Sequence, residues 1–255
     1  MSPVRQLGSD RVIGALGAVA LISYGFACAH PAAPPAGDVL VFTRTAGFRH
    51  DSIPAGIAAL RELAAQAGHR VEASEDPSTL SDAGLARFRT IVFLNTSGTI
   101  LADEQRSAIE RWVRAGGGFV GVHAAADTEY DWSFYGELLG THFASHPAIQ
   151  SATIRVIDRQ DPITAALPAL WTRVDEWYDF RSQPAGVRVL AELDESTYSG
   201  GHMGTHHPAI WAHQVGAGRS VYIGGGHTVE SYAEPLFRSV LLGALRSASG
   251  DVVAP

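Results

Sequence analysis

Three histidines in this sequence follow short apolar runs, where polar side chains are brought to the end of a strand. His50 closes the segment Thr43–His50 after the run Asp38–Phe42, His123 directly follows Phe119–Val122, and His227 follows Gly224-Gly225-Gly226 after Arg219–Ile223. The imidazole has an unperturbed pKa near neutrality, so it suits a general base or a metal ligand. Any one of these residues alone reads as a loop or capping residue. Their shared place after strands gives them weight, because open parallel sheets bind ligands outside the carboxyl ends of their strands. His123 is the sharpest position. It stands at a strand-to-helix turn, the small residues Ala124–Ala126 leave room for close approach, and Asp127 either orients the imidazole or caps a helix. Arg49 stands beside His50 and adds a fixed positive charge.

Two further segments carry titratable groups. Asp175-Glu176-Trp177-Tyr178-Asp179-Phe180 mixes acids with aromatics. That mixture suits a sugar, whose hydroxyls take carboxylate hydrogen bonds and whose ring packs on flat faces; it equally suits the polar edge of an aromatic core. His142 and His146 have the i, i+4 spacing that puts two rings on one face of a helix, as in zinc pairs, although Pro147 favours a loop. Gly200–Pro208, with His202, His206 and His207, reads as a loop able to approach a ligand closely. Asn95-Thr96-Ser97 matches a glycosylation sequon at a buried strand end and is read as chance.

These residues need a frame. Apolar runs at 38–43, 70–73, 90–95 and 119–123 alternate with helical patterns that start near Ser52 and Asp103. Strands apolar on both faces, separated by helices, predict an α/β fold with a mainly parallel central sheet flanked by helices. The second half is richer in strands, with candidates at 153–157, 187–192, 209–214 and 219–223, and a hairpin turn at Val215–Gly218. A closing helix is expected from Glu234 to Arg246.

The chain of 255 residues opens with Arg5 and Arg11, an apolar run Val12–Phe26, and Ala27-Cys28-Ala29. This reads as a signal peptide over 1–29, with a buried helix or retained anchor as the competing reading. Cys28, the only cysteine, sits where a lipoprotein carries its lipidated residue. Gly25 departs from the usual leucine there, so simple cleavage stays open. The stretch 30–37 is a Pro/Ala spacer, and 38–248 forms one domain. The expected protein is therefore exported, periplasmic or lipid-anchored, and touches a membrane only through its N-terminus. Residues 1–30 carry Arg5, Arg11 and Asp10, a net of +1, so the remainder carries −8 against −7 for the whole chain. That balance argues against a nucleic-acid partner. All 19 basic residues are arginine, which excludes a Walker lysine and a lysine Schiff base. Residues 38–255 contain no cysteine, so no thiol nucleophile or thiolate metal site can form there.

Taken together and in order, several segments resemble the ThuA, or trehalose-utilisation-like, family. They are Val39–Thr43 through Gly47–His50, Gly116–Trp132, Ser145–Pro147, Asp175–Tyr178, Gly201–Gly204, His207-Pro208 and Gly226–Thr228. The resemblance covers about 38–247 and implies a flavodoxin-like, class I glutamine-amidotransferase-like fold. Amidotransferases place cysteine at the turn held here by His123, so glutamine hydrolysis through a thiolate is excluded. Where many relatives have Asp-His-Pro, this chain has His206-His207-Pro208, which bears on substrate choice. The resemblance also implies a small sugar substrate, related to trehalose and its 3-keto derivatives.

A keto sugar needs a base for the acidic proton beside its carbonyl and an electrophile for the enolate. His123 or Glu176 is the candidate base. His50, His227 and Arg49 are candidates to hold the oxyanion, directly or through a divalent metal such as Zn²⁺ or Mn²⁺. Asp127, Trp132, Tyr178 and His207 complete the expected substrate contacts. A non-catalytic sugar-binding protein and a metal-dependent glycoside hydrolase are the alternatives.

Overall fold

The computed structural model describes residues 1–3 and 38–252. The chain divides into the units Met1–Ala33 and Pro34–Pro255, and the fold is that of the second. Cys28, the signal segment and the spacer lie outside the described residues, and among these no helix is long and apolar enough to cross a membrane.

In chain order the elements are β1 (Asp38–Phe42), α1 (Ile53–Gln66), β2 (Val71–Ser74), α2 (Asp82–Leu85), β3 (Phe88–Leu94), α3 (Asp103–Arg114), β4 (Gly118–Val122), α4 (Ser133–Leu139), β5 (Phe143–Ser145), β6 (Gln150–Val156), β7 (Leu170–Asp175), β8 (Asp179–Phe180), β9 (Arg188–Asp194), β10 (His207–Val215), β11 (Gly218–Ile223) and α5 (Pro235–Ser249). One nine-stranded sheet runs β2-β1-β3-β4-β11-β10-β9-β6-β7. The pairs from β2 to β11 are parallel. Those from β11 to β7 are antiparallel. The expected α/β class holds, and the strand-rich second half extends the parallel sheet with antiparallel strands. β5 and β8 pair separately.

The unbroken apolar runs follow from burial on both faces. Val39 and Val41 of β1, Val92 and Leu94 of β3, and Val120 and Val122 of β4 enter one core with α1 and α5. Leu40, Phe42, Ile91, Phe93 and Phe119, the alternate residues, enter a second core with α3 and α4. Successive side chains on a strand point to opposite faces, so a strand between two helical layers must be apolar throughout.

The sequence predicts α5 to end at Arg246; it runs to Ser249 and is closed by Gly250 at φ +74°. β7 is not legible by hydropathy. Its exposed residues include Leu170 and Val174, while Trp171, Arg173 and Asp175 point inward, an inversion of the usual apolar-in pattern. The helical reading of His142–His146 is also corrected: the segment between them is the extended strand β5, whose rise of about 3.3 Å per residue carries the two rings apart. His142 stacks on Tyr130, and His146 turns to Glu176.

β4 passes so close to the end of α5 that a Cβ on Gly118 would overlap the backbone carbonyl of Ala248. Gly118→Ala should therefore cost about 1–3 kcal/mol of stability, the usual range for overpacking, measured by urea unfolding of the purified domain.

Candidate functional site

The site forms where β1, β4 and β11 end, completed by the segment leaving β7. At the end of β4 the chain turns sharply, and His123 takes a left-handed backbone conformation, φ +48°. Such a conformation in a non-glycine residue costs about 1–3 kcal/mol and must be held by its surroundings. The Tyr222 hydroxyl donates to the His123 carbonyl at 2.9 Å. The ring is anchored too, since Nδ1 donates to the carbonyl of Gly224 at 3.1 Å. A carbonyl can only accept, so Nδ1 carries a hydrogen and Nε2 is the nitrogen turned to the cluster. Nε2 faces Nδ1 of His227 at 3.2 Å and Oε2 of Glu176 at 3.4 Å.

Glu176 and His227 are set by Asp175, a fully buried carboxylate. Its Oδ2 accepts from Arg173 Nη1 at 2.6 Å, Gly226 N at 2.8 Å and Ser231 Oγ at 3.0 Å. Its Oδ1 accepts from the backbone N–H groups of Glu176 and His227, each at 3.0 Å. One side chain thus ties the exit of β7 to the loop after β11. Ser52, the residue before α1, makes no side-chain cap and donates its hydroxyl to the Gly226 carbonyl at 3.2 Å, and Asn95 Nδ2 donates to the same carbonyl at 3.1 Å. Asn95 is fully buried, so its sequon is shielded from modification.

The result is a compact cluster. Each of His50, His123, His227 and Glu176 offers one ligand atom, and these atoms lie within 4.8 Å of one another. The ring centroids of the three histidines are 4.8–5.2 Å apart. Burial, and then the neighbouring His123 and His227, push His50 down to about 3, so it is a neutral ring at any working pH. Burial alone would raise Glu176 and lower His227. Contacts with His123 and then with His227, the latter a 3.0 Å hydrogen bond, hold Glu176 well below the usual carboxylate range, and the same bond to Glu176 raises His227 above 6.5.

Three imidazoles and one carboxylate form a donor set suited to Zn²⁺ or Mn²⁺. Two observations fit a metal. The buried Nδ1 of His50 has no hydrogen-bond partner within the protein. His123 shows the arrangement common to metal-bound histidines, one ring nitrogen donating to a backbone carbonyl and the other turned toward the other members of the cluster. Beside the cluster a cavity of about 300 Å³ is lined by Phe48, His50, Asp127, Phe143, His146, Glu176, Tyr178 and His227.

Comparison with known proteins bears on this geometry. The sequence profile of the ThuA family, described as trehalose utilisation, matches residues 38–248. The chain belongs to the ThuA family. The fold of this ThuA domain is similar to those of two ThuA-like proteins of known structure. That from Bacteroides uniformis is 22% identical with a TM-score of 0.69, over 87% of this chain and 94% of that one. That from Parabacteroides merdae is 18% identical with a TM-score of 0.71, over 86% and 91%. A β-galactosidase from Bacillus circulans sp. alkalophilus is 14% identical with a TM-score of 0.52, over 85% of this chain but 31% of that one. No curated protein matches.

Of the residues expected from sequence, His50, His123, His227 and Glu176 meet at the centre, and Asp127 and Tyr178 line the cavity. Asp127 does not orient His123, as Gly224 does that; its Oδ1 accepts from the Tyr130 hydroxyl at 2.6 Å. Arg49 points away, half-exposed and paired with Glu75 at 2.7 Å, because neighbouring side chains leave the loop on different sides. Trp132 is a core residue packed on Phe134 and Tyr135 rather than a sugar platform. His207 is buried behind the cavity, where Nε2 donates to the Tyr178 carbonyl at 2.9 Å and Nδ1 meets Glu195 at 2.8 Å. Although Asp179, Glu195 and His207 also cluster, their hydrogen bonds within the protein give them a role in supporting Tyr178. His206 is exposed and bonded to Glu192, and it does not line the cavity. Sequence reasoning missed Phe48 and Phe143, which form the aromatic wall in place of Trp132. It also left His146 without a role at the cavity.

Asp175→Asn should cost about 3–5 kcal/mol in urea unfolding near neutral pH, because it leaves the buried Arg173 with Glu234 as its one remaining carboxylate partner and weakens the bonds to Ser231 and three backbone N–H groups. Burial opposes the Asp175 charge, but Arg173, His123 and two backbone N–H groups outweigh it, so its pKa lies below 3.8 when folded. The carboxylate's contribution is therefore intact above that value and lost as pH falls through the folded pKa. The stability gap between wild type and variant should close only in strong acid.

Proposed function

We propose that this ThuA domain is an enzyme of carbohydrate catabolism that acts on 3-keto or otherwise modified glycosides related to trehalose, with Zn²⁺ or Mn²⁺ held by His50, His123, His227 and Glu176. One observation carries the reading: four residues far apart in sequence place their ligand atoms within 4.8 Å of one another. A divalent metal there supplies Lewis-acid polarisation of a carbonyl oxygen, which makes the neighbouring C–H acidic. The protein groups do the rest. His50 stays neutral and keeps a lone pair available. Asp127 and the faces of Phe48, Phe143 and Tyr178 offer a sugar ring one hydrogen-bonding carboxylate and apolar walls. The basic and apolar N-terminus further supports an exported protein, released by cleavage or anchored through Cys28.

Metal analysis of purified protein should find stoichiometric Zn²⁺ or Mn²⁺, with His50→Ala and His227→Ala retaining little of it. Loaded protein should turn over 3-keto-trehalose and lose that activity to a chelator. Metal retained by both variants, or no turnover across a panel of keto-glycosides, would count against the reading.

His227 holds its proton above pH 6.5 in the metal-free cluster, and a metal must displace it. Metal affinity, measured by competition with a chromogenic chelator, should rise with pH through that region and fall below it. Phe48, 65% exposed at the cavity rim, offers its face to the ligand. Phe48→Ala should raise KM about 2- to 10-fold at unchanged melting temperature, which steady-state kinetics and a thermal melt would check.

A further inference from the structure

We infer that His146 is the catalytic base and acid of this site, and that Glu176 is the carboxylate positioning it. The inference rests on the keto-glycoside reading above and assigns the proton transfer that the buried cluster leaves open. Four histidines lie in the cluster or along the cavity, and three are committed to the cluster: His50 is 4% exposed, the His123 side chain is fully enclosed, and Nδ1 of His227 is engaged by Glu176. His146 is the exception, with its side chain 41% exposed at the cavity wall. A group that takes a proton from substrate and later exchanges it needs that access.

The hydrogen bonds fix which nitrogen is free. Nδ1 of His146 lies 3.0 Å from Oε1 of Glu176 and 3.0 Å from the carbonyl oxygen of Pro147. Both neighbours are acceptors, so Nδ1 carries the hydrogen and Nε2 of the neutral ring carries the lone pair. Glu176 is divided between two tasks. Its Oε2 faces His123 and His227 in the cluster, while its Oε1 meets His146. A carboxylate orienting an imidazole by its Nδ1–H is the arrangement that makes histidine an effective base in catalytic triads.

The fold builds this contact deliberately. β5 pairs antiparallel with β8, with Ser145 opposite Asp179, and Ser145 Oγ donates to Asp179 Oδ2 at 3.3 Å. His146 leaves β5 just where Glu176–Tyr178 leads into β8. The His146 ring packs near Tyr178 and Phe143, each 5.8 Å away between centroids.

In the step assigned, Nε2 of His146 takes the proton from the carbon next to the substrate carbonyl. The C–H electron pair becomes the C=C bond of the enolate, and the carbonyl π pair moves onto oxygen at the cluster. When the enolate collapses, its electrons either reclaim a proton from His146 at the same carbon, which exchanges that hydrogen with solvent, or expel the oxygen substituent one carbon further on, which His146 protonates. No other reactant is consumed.

The test uses His146→Ala and His146→Gln in the purified full-length protein, with 3-keto-trehalose in D₂O. Metal content, melting temperature and KM should stay within about threefold or a few degrees of wild type, whereas kcat and deuterium incorporation should fall about 10²- to 10⁴-fold, the usual worth of a positioned base. Added imidazole should restore part of the activity of His146→Ala and none of that of His146→Gln, whose side chain still fills the space. Variant kcat within threefold of wild type would overturn the assignment while leaving the metal site intact. Loss of metal in the His146 variants would overturn it in favour of a structural or ligand role. Wild-type protein that exchanges no proton with any keto-glycoside overturns this inference together with the reading beneath it.

Discussion

A single buried ion pair governs the geometry of the site. Arg173 and Asp175 project from β7, at the far edge of the nine-stranded sheet, into an environment where an isolated charge would be prohibitively unstable. Asp175 uses both carboxylate oxygens to bind Arg173, Ser231 and three backbone N–H groups, and Arg173 in turn reaches Glu234 at the start of α5. The backbone of Glu176 and His227, which belong to opposite parts of the sheet, is held to one carboxylate. Their side chains then meet His50 and His123, which are fixed independently by the parallel half of the sheet.

The cluster is therefore electrostatically balanced from outside inward. Asp175 lies beneath it and is already neutralised by Arg173. Glu176 supplies one negative charge among three imidazoles, one of which, His50, burial keeps uncharged. The arrangement suits a cation, which would replace mutual contacts among lone pairs by shared coordination. The second cluster, of Asp179, Glu195 and His207, differs in kind: its members already satisfy one another and the backbone, and they brace Tyr178 from behind.

Much of this was legible in the sequence where one element positions one residue. The apolar runs before His123 and His227 place both at strand ends, and Asp175–Tyr178 stands out as an acidic and aromatic mixture. Legibility failed where a side chain's direction mattered. Arg49 and His50 are adjacent, yet one reaches solvent and the other the cluster, because position along a loop does not determine which way a residue faces. Trp132 had the right chemistry for a sugar but the second core claimed it. β7 escaped notice because two of its three inward residues are charged and two of its three outward ones apolar. His146 gave a misleading signal, since the i, i+4 spacing that pairs it with His142 on a helix separates the two on a strand.

The inverted pattern of β7 also constrains its alignment. Slippage by one residue against β6 would carry Arg173 and Asp175 to the solvent side and turn Leu170 and Val174 inward, where Ser231 and Glu234 await charged partners. Apolar side chains cannot satisfy those groups, so the ion pair works as a lock on strand alignment. β7 lies at the sheet's rim with a strand neighbour on one side only, yet Trp171 seats it in the first core. A shifted β7 would therefore dismantle the site and disturb that core together.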